Sequence, residues 1–388
     1  MAARKILCIL ATGLFLSCTS YKDIATERAR RAETAKGDIS VAVVWNTSFQ
    51  ATLFDEGITM AVSEINARGG ILGRKLRMEI HPNVRQDEEQ KIARTIAADP
   101  DIVAVIGHLE SGGAIRASVT YQAAGLLFIS PGATSPNLTD HGFSYVFRNI
   151  PSDSETGKVL AEFCVAKGYG NMVVIDDESE YGMALANIFE EKAAAAGIKI
   201  LLRRSYFPWQ ADFRFMLHEI KDQGGDAILL GGDVPRAAEV IKQARQMGIK
   251  LPFIGGDGLD TGDLWKIAGY AAEGTIVSTI FNPTDADPNT QLFSGNFLQR
   301  YGITPDTWAA LGYDAVYLLD DAYTKAGSTV PVVAASFLRF IADRHSVMGL
   351  YSFTKTGDVT GKNFFFKVFR KVLRGGKFKY LPDRIEGN

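Results

Sequence analysis

The sequence predicts an α/β protein of two lobes, each built around a sheet of mainly parallel strands. Three observations predict it. At 388 residues the chain exceeds one ordinary core, and a 46% hydrophobic share is enough to fill two. From Ile39 onward, short β-branched runs alternate with helical segments, and the runs are nearly continuous in apolar residues, as strands covered on both faces must be. The alternation stops at Ile150-Pro151-Ser152 and then starts afresh, as at a join between two similar units.

Taken in order, 39–45 reads as a strand, 54–67 as a helix with Ile58, Ala61, Val62 and Ile65 on one face, and Gly69 to Gly73 as a glycine turn. Strand 76–80, helix 86–98, strand 102–106, helix 114–124 and strand 126–129 complete the first unit. The second repeats the pattern: helix 153–166, strand 172–175, helix 181–196, strand 198–206, helix 212–221, strand 226–230, helix 236–247 and strand 253–254. Beyond Phe281-Asn282-Pro283 come long helices over 289–300, 307–326 and 332–342. The last stretch, 351–353, 364–372 and 377–380, reads as antiparallel strands joined by turns at Lys355 to Asp358 and at Gly375-Gly376.

The first 17 residues carry Arg4-Lys5, an apolar run over 6–16 and Ser17, the order of an export signal too short to span a bilayer. Ser17-Cys18 serves either as a peptidase region or as a lipobox whose Cys18 is retained and acylated; lipidation is the expectation. Residues 18–38 mix charges and Ala without a sustained apolar face, as a solvated tether would, with a short amphipathic helix as the alternative. Removing Arg4 and Lys5 from the 42 basic residues leaves 40 against 44 acidic ones, a net of −4, and no electrostatic footprint for nucleic acid. With Cys8 in the signal and Cys18 lipidated, Cys164 has no partner, so no disulfide is expected.

No catalytic signature is present. The five histidines form no His-Glu-x-x-His pair, Cys-x-x-Cys is absent, and neither a Gly-x-Ser-x-Gly elbow nor a phosphate loop occurs. Gly255-Gly256-Asp257-Gly258 lacks the third glycine and the helix of a dinucleotide fingerprint. No catalytic residue, cofactor or metal is implied.

Four segments in order carry a resemblance. They are Gly57-x-x-x-Ala61-x-x-x-Ile65-Asn66-Ala67-x-Gly69-Gly70-Ile71-Leu72-Gly73, Val105 to Gly112, Ile129 to Pro136, and Gly255 to Gly258. The chain from Ile39 to about Ile280 resembles the leucine/isoleucine/valine-binding protein family, the type I periplasmic binding proteins that feed ABC importers. That resemblance implies two Rossmann-like lobes joined by a three-crossover hinge. Lobe one would take 39–150 plus 282–349 and lobe two 151–281 plus 350–388, with crossings near Asn149-Ile150-Pro151, Ile280-Phe281-Asn282 and Gly349-Leu350-Tyr351.

The residues themselves make sense of the site. Ser111 stands between a strand and a helix as an N-cap, and Gly112 and Gly113 leave backbone N–H groups open to a carboxylate. The loop holding Thr134 leaves the C-terminal end of a neighbouring strand, where open α/β sheets place ligands. Taken alone, Ser111 is a cap, Thr134 a turn residue and Asp257 a turn aspartate. The resemblance implies that Ser111 and Thr134 hold an α-carboxylate, that Gly132 offers its carbonyl and Asp257 its carboxylate to the ammonium, and that Tyr181 packs over the ligand.

Three departures bear on the ligand. Asp233 replaces a frequent tyrosine, with helix N-cap as its other reading; Phe49 and Gln50 replace an aromatic-glycine turn; and Glu110 adds a carboxylate beside Ser111. Should Asp233 or Glu110 face the cleft, a polar or cationic side chain is implied, because an unpaired buried carboxylate is costly.

The function implied is an extracytoplasmic receptor in the periplasm or cell envelope, monomeric and anchored to the membrane through Cys18. It closes on a small amino-acid-like ligand and delivers it to an ABC permease. The alternatives are a ligand-sensing subunit of a signalling receptor and an exported α/β hydrolase.

Overall fold

The computed structural model describes residues 20–45, 52–82, 88–372 and 375–385. The signal, Cys18, Phe49 and Gln50 lie outside the described residues. The chain begins with α1 (Tyr21–Thr34) and then alternates through β1 (Ile39–Trp45), α2 (Phe54–Ala67), β2 (Leu76–Pro82), α3 (Glu89–Ala98), β3 (Ile102–Gly107), α4 (Ser111–Ala123), β4 (Leu127–Ser130) and β5 (Val146–Arg148). These strands form one sheet in the order β2-β1-β3-β4-β5, parallel throughout. β1 and β3 are buried at every position, which is why their sequences run apolar without alternation.

The second alternation is α5 (Asp153–Ala166), β6 (Asn171–Asp176), α6 (Glu180–Ala195), β7 (Lys199–Ser205), α7 (Arg214–Gln223), β8 (Ala227–Gly231), α8 (Arg236–Gln246), β9 (Phe253–Gly255), α9 (Asp263–Ala268) and β10 (Ile276–Thr279). There follow α10 (Pro288–Tyr301), α11 (Thr307–Ala326), α12 (Pro331–Leu338), β11 (Arg344–Ser346), β12 (Gly349–Phe353), β13 (Val359–Thr360), β14 (Phe364–Val372) and β15 (Gly375–Ile385). The second sheet runs β15-β14-β10-β9-β8-β6-β7, with β14 and β15 antiparallel and the rest parallel. Both sheets reverse strand order once, between β1 and β3 and between β6 and β8. At such a reversal the helices leave to opposite faces and a crevice opens at the strand C-termini.

The α/β alternation and the antiparallel end are as the sequence predicts. β5, β10 and α9 were not legible in it, being three to six residues long.

Helix α11 lies against α2 with backbones nearly touching. A Cβ on Gly57 would stand 2.1 Å from the Ala309 carbonyl oxygen. This close approach fixes the late helices to the first sheet, and Trp45 stacks on Phe54 beside Trp308 there.

Two expectations are corrected. The third crossing is not at Gly349 to Tyr351: β12 pairs with β11 and β13, and Arg148 N–H donates to the Gly357 carbonyl at 3.0 Å, so the chain joins the second sheet only at Phe364. Residues 21–34 are not a solvated tether. α1 opens with a Ser20–Asp23 capping box and docks through Arg28, which is wholly buried. The Arg28 guanidinium donates to the carbonyls of Ile102 (2.7 Å), Ala97 and Asp99 (both 2.8 Å) and Ala124. Those oxygens lie at the foot of β3 and the ends of α3 and α4, where helix carbonyls lack partners of their own. The anchoring contact is a buried cation, which a search for an apolar stripe passes over.

Candidate functional site

The C-terminal ends of both sheets face one another. Thr134 after β4, Thr156 on α5, Asp257 after β9, Ser278 and Thr279 on β10, Thr307 on α11 and Phe364 on β14 line one narrow cavity. Its free volume is about 20 Å³, room for roughly one water, so the lobes stand closed. Contacts bridge them directly: Ser135 Oγ and Asn137 Nδ2 donate to Glu180 Oε1 at 3.2 and 2.5 Å.

Ser111 is the first residue of α4 rather than its cap, which is Glu110, and α4 has no side-chain cap. The Ser111 hydroxyl instead accepts from the backbone N–H groups of Thr134 and Ser135, both at 3.2 Å, tying the two loops together. Gly132 permits this: a Cβ there would lie 2.7 Å from the Leu109 carbonyl oxygen. Arg148, buried, holds the same loop from behind through the carbonyls of Ala133 and Ser135 and an ion pair with Asp358. Thr134 Oγ1 is buried and makes no hydrogen bond.

From the second lobe, Asp257 opens a 3₁₀ turn at the end of β9, and Tyr181 lies beside it, its hydroxyl oxygen accepting from Gly258 N–H at 3.2 Å. Burial pushes the Asp257 carboxyl up to about 7, with Asp260 adding to the shift. Tyr181 is nearly fully buried, and burial followed by the Asp257 charge raises its phenol.

Asp233 does not cap the next helix; Pro235 takes that position. Its N–H donates to Asp177 Oδ2 at 3.3 Å, and burial and then Asp177, Asp257, Glu110 and Asp153 push its carboxyl well above the usual range. Burial and then Glu89 push Glu110 up to about 7, with Asp177 contributing. Asp233 therefore feels the Glu110 charge across the cleft.

Asp153, at the start of α5, escaped the sequence reading. It is fully buried beside Thr134, whose carbonyl accepts its N–H at 2.8 Å, and burial and then Asp257 push its carboxyl well above its ordinary value, against the opposing pull of the Thr134 hydroxyl and Arg148. Its signal was present, since it follows β5 as Asp257 follows β9, but a three-residue strand hid the pattern.

Behind α4, His108 turns Nε2 to the Tyr121 hydroxyl at 3.0 Å and Nδ1 toward Glu89 at 3.5 Å, so its imidazole is engaged there and not by a serine. Among the described residues no group of His, Cys, Asp or Glu could hold a metal ion, and no helix is long and apolar enough to cross a membrane. Cys164 is a free, buried thiol.

Residues 46–371 match the family model described as periplasmic binding protein. The Leu/Ile/Val-binding protein homolog 1 of Brucella suis biovar 1 is 30% identical over 350 residues, 89% of this chain and 92% of that protein. An ABC transporter substrate-binding protein from Desulfitobacterium hafniense, solved in complex with Leu, is similar at 36% identity and a TM-score of 0.79, covering 89% of this chain and all of that one. The leucine binding protein LivK of Thermotoga maritima reaches a TM-score of 0.81 at 26% identity over 88% of this chain and 97% of its own. The two-lobed fold, the cleft between its sheets and a family match over most of the length lead to one conclusion: the chain belongs to the periplasmic binding proteins, solute-binding proteins that work outside the cytoplasm.

Proposed function

We propose that this protein is the receptor of an ABC importer, closing on a small α-amino acid and presenting it to a membrane permease. One observation carries the reading. Thr134 from the first lobe and Asp257 from the second line the same closed cavity, one offering an unused hydroxyl and the other a carboxylate. An α-amino acid is complementary to that pair. Its carboxylate meets the Ser111 and Thr134 hydroxyls and the uncapped start of α4, and its ammonium meets Asp257, with the Gly132 carbonyl and Tyr181 completing the enclosure. The Leu complex of the 36% identical relative supports the ligand class.

The lobes comprise 39–149 with 282–360 and 150–281 with 364–385. They part at three crossings to admit the ligand, which then favours the closed state by bridging them. The protein works as a monomer without chemistry of its own, held at the membrane by acylated Cys18. A thermal-melt screen of α-amino acids tests the function, because a ligand of the native state raises its melting temperature. A shift with at least one supports it; no shift with any sinks it.

A further inference from the structure

A second cavity opens in the first lobe between α2, α10, α11 and β11. Its free volume is about 390 Å³, and it shares no lining residue with the cavity between the lobes. Sites for small molecules have this size, roughly 300–1,000 Å³.

One wall of it is aromatic. Phe293 of α10 and Tyr313 and Tyr317 of α11 line the cavity, with ring centroids 4.7 Å apart from Phe293 to Tyr313 and again from Tyr313 to Tyr317. The two tyrosines stand one helical turn apart, so they share a face. Both hydroxyls donate to a single oxygen of Glu64, Oε2, at 2.6 and 2.7 Å. The other oxygen, Oε1, accepts no hydrogen bond, and Glu64 makes no ion pair, among the described residues.

The remaining charges of the lining are engaged. Arg344 pairs with Asp314 and, at 2.8 Å, with Asp321, and buried Lys362 adds a second positive charge beside Asp314. His345 is held by Asp287 at 2.6 Å. Arg68 does not line the cavity; it stands over the Tyr317 ring, 5.3 Å from the centroid, and pairs with Asp320. Glu64 is therefore the lining carboxylate without a countercharge, and it is joined to two rings of the aromatic wall. An anion is repelled there, and a neutral molecule leaves the charge unanswered. A cation gains from the ring faces and from the carboxylate together.

From this arrangement we infer that the cavity is a second binding site, for a small organic ammonium ion: its nitrogen lies against the Phe293, Tyr313 and Tyr317 rings and is countered by Glu64 Oε1. Leu292 and Val347, which also line the cavity, cover its carbon atoms. The site stands whatever the cleft between the lobes takes.

Calorimetric titration of the purified protein at neutral pH and constant ionic strength tests it with two matched pairs. These are choline with 3,3-dimethylbutan-1-ol, in which carbon replaces the charged nitrogen, and butylammonium with butan-1-ol. The expected result is that at least one cation binds with a Kd of about 5 mM or tighter and about tenfold more tightly than its neutral counterpart. Glu64→Gln, which keeps an acceptor for both phenols, and Tyr317→Leu each remove that preference, while Asp257→Asn in the other cavity leaves it in place. Either of the first two variants decides if the other folds poorly. Equal binding within both pairs, or no cation binding at that level, overturns the inference. So does cation binding that Asp257→Asn abolishes and Glu64→Gln leaves unchanged.

Discussion

Thr307, the first residue of α11, donates its hydroxyl hydrogen to the Asp260 carboxylate at 2.8 Å, joining a helix of the first lobe to a turn of the second. Around this bond Trp308 Nε1 donates to the Asp260 carbonyl at 3.0 Å, Thr279 and Thr307 share a hydroxyl contact at 2.8 Å, and Lys367 pairs with the other Asp260 oxygen. The cluster lies at the wall of the cavity, so it holds the lobes shut where the ligand sits. Thr307→Val removes one bond between the lobes and lowers the closed population. Apparent ligand affinity falls by about fivefold, measured by calorimetric titration. Asp260→Asn acts differently: it leaves Lys367 buried without a countercharge, and unfolding in denaturant loses about 3 kcal/mol.

Thr134 and Ser111 separate binding from stability. Thr134 Oγ1 makes no well-formed hydrogen bond within the protein, so Thr134→Val leaves the denaturation midpoint near that of the parent while affinity falls about tenfold. Ser111 Oγ accepts two loop N–H groups, so Ser111→Ala orphans both and costs about 2 kcal/mol of stability along with affinity. Denaturation and titration of both variants check the contrast.

Asp257 and Glu110 make the unliganded protein sensitive to pH. Both titrate near 7 in the folded state against 3.8 and 4.5 for the free groups, because burial disfavours their charged forms. Between those values the folded state binds more protons than the unfolded one, so their stabilising contribution is full below about pH 4 and is lost as pH rises through about 7. The melting temperature of the ligand-free protein therefore declines from pH 5 to pH 8, and Asp257→Asn flattens the decline.

Arg28 is the fastening of α1. Arg28→Met removes donors from four carbonyls at the foot of the first lobe and costs about 3 kcal/mol in chemical denaturation, with α1 opening first in hydrogen exchange. A variant as stable as the parent would show that α1 rests on the lobe without holding it.

The fold was legible where strands are long and buried on both faces. β1 and β3 announce themselves by unbroken apolar runs, and α11 matched its expected bounds because twenty residues give the helical period time to show. What escaped has physical reasons. β5 and β10 are too short to carry a pattern, and their brevity concealed Asp153 and the threonines of the cavity wall. The docking of α1 depends on one arginine satisfying distant carbonyls, a relation that no local window contains. The third crossing was misplaced because β12 reads as a strand whichever sheet it joins, and only its partners β11 and β13 reveal the choice. For the site, sequence reasoning named Ser111, Gly132, Thr134, Tyr181 and Asp257 as candidate ligand contacts; Thr134 and Asp257 line one cavity, Ser111 is tied to the Thr134 loop, and Tyr181 lies beside Asp257. It misjudged the local roles of Ser111 and Asp233, because a cap position shifts by one or two residues with loop geometry.

The central claim is that Asp257 receives an α-ammonium while the Thr134 loop receives the carboxylate. Calorimetric titration of the tightest-binding amino acid against its α-hydroxy counterpart, identical but for oxygen in place of the ammonium, tests this most directly. The account predicts that the hydroxy acid binds about 100-fold more weakly, since it leaves buried carboxyls facing an uncharged group. Equal affinity for the two would contradict it.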